Sequence, residues 1–167
     1  MTRPTPTVHC FWLVLAACVI FTCPLPSNAA DQVSFKADFS LLSLPAAMNA
    51  GCPQNTVRFN VSGSGPATHL GMTTVSEFVC LNPSDLTFTA SFTMIAANGD
   101  QVFATATGFG VPTSNVSFTV HSQWVINGGA GRFLGASGTG TATGEVNLVT
   151  GASPHQLIGT ISSVGSD

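Results

Sequence analysis

Alternation with a period of two runs through almost the whole chain after residue 30, and it leaves little choice but strands. Val33, Phe35, Ala37 and Phe39 fall on one face with Ser34, Lys36 and Asp38 on the other, and Val57, Phe59 and Val61 repeat the pattern. Leu86, Phe88, Ala90, Phe92, Met94 and Ala96 form a longer ladder, and Val116, Phe118, Val120, Ser122, Trp124 and Ile126 another. Successive side chains of a strand point to opposite sides, so each ladder has one face to bury and one to wet. Segments 68–81, 102–109, 139–149 and 157–164 supply further strands, the first of them with a break expected near Gly71. No helical run of comparable length follows residue 30.

The links between ladders carry turn chemistry. Residues 45–55 are rich in Pro, Gly and Asn, Ser62-Gly63-Ser64-Gly65-Pro66 is predicted to turn the chain, and Thr150-Gly151-Ala152-Ser153-Pro154 separates the last two strands. Asn98-Gly99 predicts a hairpin with a type I′ turn, in which both central residues need positive φ. The densest glycine run, Gly128-Gly129-Ala130-Gly131-Arg132-Phe133-Leu134-Gly135, follows directly on a strand and reads as a bulge or barrel corner. About eight short consecutive strands predict an all-β fold: a small antiparallel up-and-down β-barrel, closed so that no edge is left.

Residues 1–29 read as an export signal. Arg3 is their one charge, residues 11–21 are an apolar core, and Ser27-Asn28-Ala29 offers small residues for cleavage near Ala29. That core is too short to be favoured as a spanning helix, and no later segment competes with it. The expected product is one domain, residues 30–167, secreted or periplasmic, from a bacterial source. Leu15-Ala16-Ala17-Cys18 keeps open the alternative of a lipid anchor at Cys18.

Only 7% of residues are charged, against a usual figure of about 25%. After residue 30, Lys36, Arg58 and Arg132 face all seven carboxylates of the chain, so nucleic acid is excluded as an expected partner for want of clustered cations. Cys52 and Cys80 are the cysteines that survive cleavage, and in an exported domain they predict one disulfide, with free thiols for metal or redox chemistry the alternative. Ten of the twelve phenylalanines follow residue 30, and tyrosine is absent, which predicts a dry apolar lumen lined by Phe59, Phe88, Phe92, Phe103, Phe118 and Trp124. An eight-stranded barrel is either filled by such side chains or just wide enough for one small ligand.

Three segments, Thr68-His69-Leu70-Gly71, Ala97-Asn98-Gly99-Asp100-Gln101 and the Gly128–Gly138 corner, together resemble exported bacterial β-barrel proteins of uncharacterised function that carry THLG, AANGD and GGTGRF-x-GATG-like signatures in that order. The corner is also similar to the GG-T-G-x-F corner of the allene oxide cyclase and dirigent barrel families. The resemblance covers roughly residues 57–162 and implies a container for a hydrophobic small molecule. It carries over no catalytic residue, because no polar lumen residue of either family finds a match here.

Ionisable groups are few. Glu77 and Glu145 lie in strand-like runs, and the rarity of buried acids puts both on the outer face; an inward one would need a partner or a raised pKa and would then be a catalytic candidate. His69, the third candidate, reads first as a loop-holding residue, and His121 as a solvated one. Arg132 reads as a pin on backbone carbonyls before a ligand anion site. No two of His69, His121 and His155 have metal-ligand spacing, and no Gly-x-Ser-x-Gly elbow is present. The reading is therefore a barrel that binds a small apolar molecule, with no metal or cofactor expected. It leans against an enzyme, with a cyclase- or isomerase-like activity in the same lumen and a solid structural or cell-surface module as alternatives.

Overall fold

The computed structural model describes residues 31–46 and 51–162. The expected signal segment with its Ala29 site, Cys18 and the expected last-strand residue Val164 lie outside the described residues. Eight strands follow in chain order: β1 (Gln32–Pro45), β2 (Val57–Ala67), β3 (Gly71–Leu81), β4 (Thr87–Ala96), β5 (Gln101–Pro112), β6 (Ser117–Ala130), β7 (Gly138–Asn147) and β8 (Ala152–Ser162). Each pairs antiparallel with the next, and β8 pairs with β1 along the run from Ser162↔Gln32 to Ala152↔Leu42, closing the barrel. The up-and-down expectation holds strand for strand.

Trp124, Phe35, Phe133, Met94, Ile161 and Val102 fill one half of the interior almost completely. Their packing depends on small residues opposite. The Trp124 indole lies over Gly140 and Gly159, where a Cβ would run into its six-membered ring, donates its Nε1–H to the Thr141 carbonyl at 3.0 Å, and meets Phe35 edge-on at 5.7 Å between ring centroids. Such large-on-small filling is how a narrow barrel reaches interior packing density.

Three local expectations are corrected. Residues 62–66 do not turn: β2 runs straight through them, because Gly63 and Gly65 face inward where a Cβ would collide with the β1 backbone at Ser40 and Asp38. The turn is at residues 68–70. The Asn98-Gly99 hairpin forms, but only Gly99 has positive φ, at 89°. Gly99 N–H donates to the Ala96 carbonyl and Ala96 N–H to that of Asp100, both at 2.9 Å, the pattern of a three-residue loop with a left-handed glycine instead of type I′. Asn98 uses its side chain there, accepting from the Asp100 N–H at 3.2 Å. Finally, β8 begins before Pro154, which the sequence reading places in a link. Pro154 pairs only with Ser40 of β1, and the ladder to β7 stops at His155↔Gly144, so its missing N–H leaves no rung unmade.

The glycine corner is a bulge followed by a short turn. Phe103 pairs with Gly128 and Ala104 with Ile126, leaving Asn127 as the extra residue. Residues 131–133 then form one 3₁₀ turn that buries Phe133. At the opposite end, the Cys52–Cys80 disulfide, with Cα atoms 5.5 Å apart, ties the 51–56 loop to the outer face of β3.

Replacing Cys52 and Cys80 with serine is expected to lower stability by roughly 3.5 kcal/mol in urea unfolding, since the bridge closes a loop of nearly thirty residues. Gly140→Ala, which drives a methyl group into the Trp124 ring, is expected to lose about 1–3 kcal/mol in the same assay.

Candidate functional site

Two small cavities lie in the half of the barrel left unfilled, about 40 Å³ and about 50 Å³, each with room for a few water-sized groups. Phe39, Leu41, Val75, Phe92, Trp124 and Leu157 surround the first, and Phe59, Val61, Val79, Leu81, Phe118 and Val146 the second. Glu77, Phe88, Val120 and His155 border both and form the partition between them. The second cavity lies toward the barrel end that carries the 51–56, 82–86, 113–116 and 148–151 loops.

Glu77 therefore points inward, against the sequence reading. It shares the inner face of β3 with Thr73, Val75 and Val79, and the alternation that buries those residues carries it in. Burial pushes its carboxyl from the ordinary 4.5 up to about 7. It makes no hydrogen bond or ion pair with another described residue, and no fully enclosed side-chain nitrogen or oxygen among the described residues lacks a partner, so its oxygens open onto the void.

The sequence reading leaves His155 between the 150–154 link and a strand that starts at Leu157, so nothing there gives it an inward face. Once β8 is extended, Ser153, His155 and Leu157 share its inner face. The ring occupies space left by Gly144, where a Cβ would strike the imidazole. Its Nε2 lies 3.1 Å from the hydroxyl of the buried Ser153. Burial lowers its pKa from 6.5 to about 4, so the imidazole is neutral at physiological pH. The unfilled lumen thus holds an uncommitted carboxyl and a neutral imidazole in an apolar surround, which suits hydrogen bonding and proton exchange with a neutral guest.

Of the remaining expected lumen residues, Phe59, Phe88, Phe92, Phe118 and Trp124 all line one or both cavities. Phe103 does not. Val102 and Ala104 take the inward positions of β5, and Phe103 between them is on the outer face, 39% exposed. Glu145 is exposed on β7, and His121 is exposed on β6.

His69 and Arg132 belong to the other end of the barrel. His69 has a φ of 67°, and its Nε2 lies 3.0 Å from the Ser34 carbonyl. Arg132 donates from Nη2 to the His69 carbonyl at 2.7 Å, pairs through Nε with Asp100 Oδ2 at 3.0 Å, and lies over the Phe133 ring. Gly131 sits so close to Asp100 Oδ1 that a Cβ would overlap it, and its φ of 66° suits glycine as well. The three sequence segments singled out above converge here as one cap, with Leu70, Phe133 and Ala136 buried beneath it. Neither His69 nor Arg132 borders the two lumen cavities. Among the described residues no three His, Cys, Asp or Glu side chains are grouped to hold a metal.

Solved structures share this architecture. The pterocarpan synthase dirigent protein PsPTS1 has a TM-score of 0.54 at 12% identity, over 81% of this chain and 97% of that one. A second, the pterocarpan synthase dirigent protein GePTS1, has a TM-score of 0.50 at 15% identity, over 84% and 91%. The fold is a dirigent-type barrel. No family model and no curated protein matches the chain.

The two lumen groups have opposed pH dependences. The folded state keeps the Glu77 proton up to about pH 7 while the unfolded chain releases it near 4.5, so stability is lost as pH rises between those values. His155 stays neutral down to about pH 4 when folded but protonates near 6.5 when unfolded, so stability is lost as pH falls through that range. Wild-type stability is expected to stay nearly flat between about pH 4.5 and 6.5, where the two offset each other. Glu77→Gln should unmask a rising limb over that window and gain at most about 3 kcal/mol relative to wild type at pH 8, measured by urea unfolding across pH. A variant profile parallel to wild type would contradict the inward carboxyl.

Proposed function

We propose that the barrel binds a small, largely apolar molecule carrying one hydrogen-bonding group, with that group meeting Glu77 and His155 and the rest lying among the phenylalanines and Trp124. The observation that carries this reading is the Glu77 carboxyl: an ionisable group without a partner among the described residues, opening onto apolar cavities. Leaving such a group buried costs free energy that a ligand's hydroxyl or carbonyl would recover. Access is from the end with the longer loops, since the other is closed by the Arg132–Asp100 cap. Phe88 divides the two cavities, and its displacement would join them into one site. The dirigent neighbours support a container of this kind through their fold alone. The disulfide supports a life in an oxidising compartment, consistent with export by the N-terminal segment.

A second reading follows from the same carboxyl. A pKa of about 7 suits a general acid or base at neutral pH, so a guest with an acidic C–H or a basic oxygen would be open to proton transfer, as a cyclase- or isomerase-like activity requires.

Trp124 is the one tryptophan after residue 30 and borders the first cavity, so its fluorescence reports on the site. Titration with p-cresol and with toluene should favour p-cresol, and Glu77→Leu should erase that preference, a change of about tenfold or more. Absence of any response to either probe, together with no small molecule retained in native mass spectrometry, would remove the binding reading. If a substrate is turned over by Glu77, Glu77→Gln should lower kcat by about 10²–10⁴ with binding retained.

A further inference from the structure

The outer face of β4–β7 carries an open groove whose rows of side chains face away from the lumen, although Phe88, Ser122, Ala142 and Thr143 border both it and the first cavity. The groove, of about 890 Å³, crosses these strands, with the 53–56 loop as one wall, held there by the Cys52–Cys80 bridge. Strand register places its side chains in two rows. Thr89, Thr107, Gln123 and Thr141 stand abreast on four successive strands, and Thr87, Phe109, His121 and Thr143 form the next row. Neighbouring strands are about 4.8 Å apart, so the first row is a nearly continuous line of polar groups, while the second sets the Phe109 and His121 rings between two threonines.

Three properties select the ligand. No residue lining the groove is charged, which excludes phosphates, sulfated chains and acidic or basic peptides as electrostatic matches. The side chains of Thr89, Thr107, Gln123, Thr141 and Thr143 make no hydrogen bond with another described residue; each hydroxyl or amide both donates and accepts, as the hydroxyls of a polyol do. Phe109 is 50% exposed and braced by the His121 ring at 5.6 Å between centroids, giving a flat apolar platform beside the polar rows. Free neutral hydroxyls next to an exposed ring match a sugar, which has an apolar ring face and a polar rim. The geometry points to a neutral oligosaccharide bound across β4–β7 in this groove. The rigid wall and strand-borne side chains would lower the ordering cost of binding. A protein partner fits less well, because interface cores are enriched in aromatic residues and arginine, and Phe109 is the sole aromatic ring on the outward rows apart from its His121 brace.

The test is affinity electrophoresis of the purified protein in gels containing hydroxyethyl cellulose, glycol chitin, soluble starch or, as an anionic control, dextran sulfate, followed by calorimetry with the matching hexasaccharide. At least one neutral polymer should retard the protein and dextran sulfate should not. Phe109→Ala should weaken hexasaccharide binding by about tenfold or more. The near-isosteric Thr107→Val/Thr141→Val pair, which keeps side-chain volume and β-branching, should weaken it as well without disturbing the fold. Glu77→Gln should leave it unchanged, and Phe109→Ala should leave the p-cresol response of Trp124 unchanged, so the two sites fail or succeed separately. No retardation by any neutral polymer, retardation undiminished in both groove variants, or loss in Glu77→Gln alone would overturn the assignment.

Discussion

Ring closure by the β8–β1 ladder governs everything else in this molecule. A strand in an open sheet could slip by one residue and exchange its faces, but in a closed barrel the register of each strand is held by two neighbours, so the parity of every side chain is set collectively. Closure also removes the exposed edges on which a sparsely charged, strand-rich chain would otherwise aggregate. Glu77 and His155 face the lumen for this reason, although neither makes an ion pair with another described residue that would hold it there.

Within the closed ring, volume is shared between strands with large and small inward residues. β1 contributes Phe35 and Phe39, β4 Phe88 and Phe92, and β6 Trp124 and Phe118, while β7 contributes Gly138, Gly140, Ala142 and Gly144. The indole on Gly140 and Gly159 completes the filling of one half. In the other half the same economy stops short of full packing, and His155 takes the space above Gly144 without filling the voids on either side of it. The barrel is therefore neither the solid rod nor the wide oily tube that its composition allows. It is a packed plug joined to a narrow, mostly apolar chamber that holds two ionisable groups, Glu77 and His155, and a few serines.

The cap shows how distant segments acquire a joint role. Arg132, Asp100 and the His69 carbonyl come from three different loops, and their contacts are surface interactions worth little individually. Their effect is positional: they hold the 131–137 loop where Phe133 can enter the core.

Much of this was legible in the chain itself. Period-two ladders, turn residues and the two cysteines that follow residue 30 lead to eight antiparallel strands, closure and the disulfide, because alternation and turn chemistry are local properties. The lumen aromatics Phe59, Phe88, Phe92, Phe118 and Trp124 were readable on the same ground. Phe103 was not, because aromatic character does not report parity, and at a bulged pairing two small neighbours took the inward places. Residues 62–66 and 150–154 have turn composition yet lie in strands, since Gly63 and Gly65 serve close approach to β1 and Pro154 sits where no rung is needed. Which acid faces inward, how near His155 comes to Ser153, and how far the chamber is filled depend on contacts between strands far apart in sequence, and only the closed tertiary structure decides them.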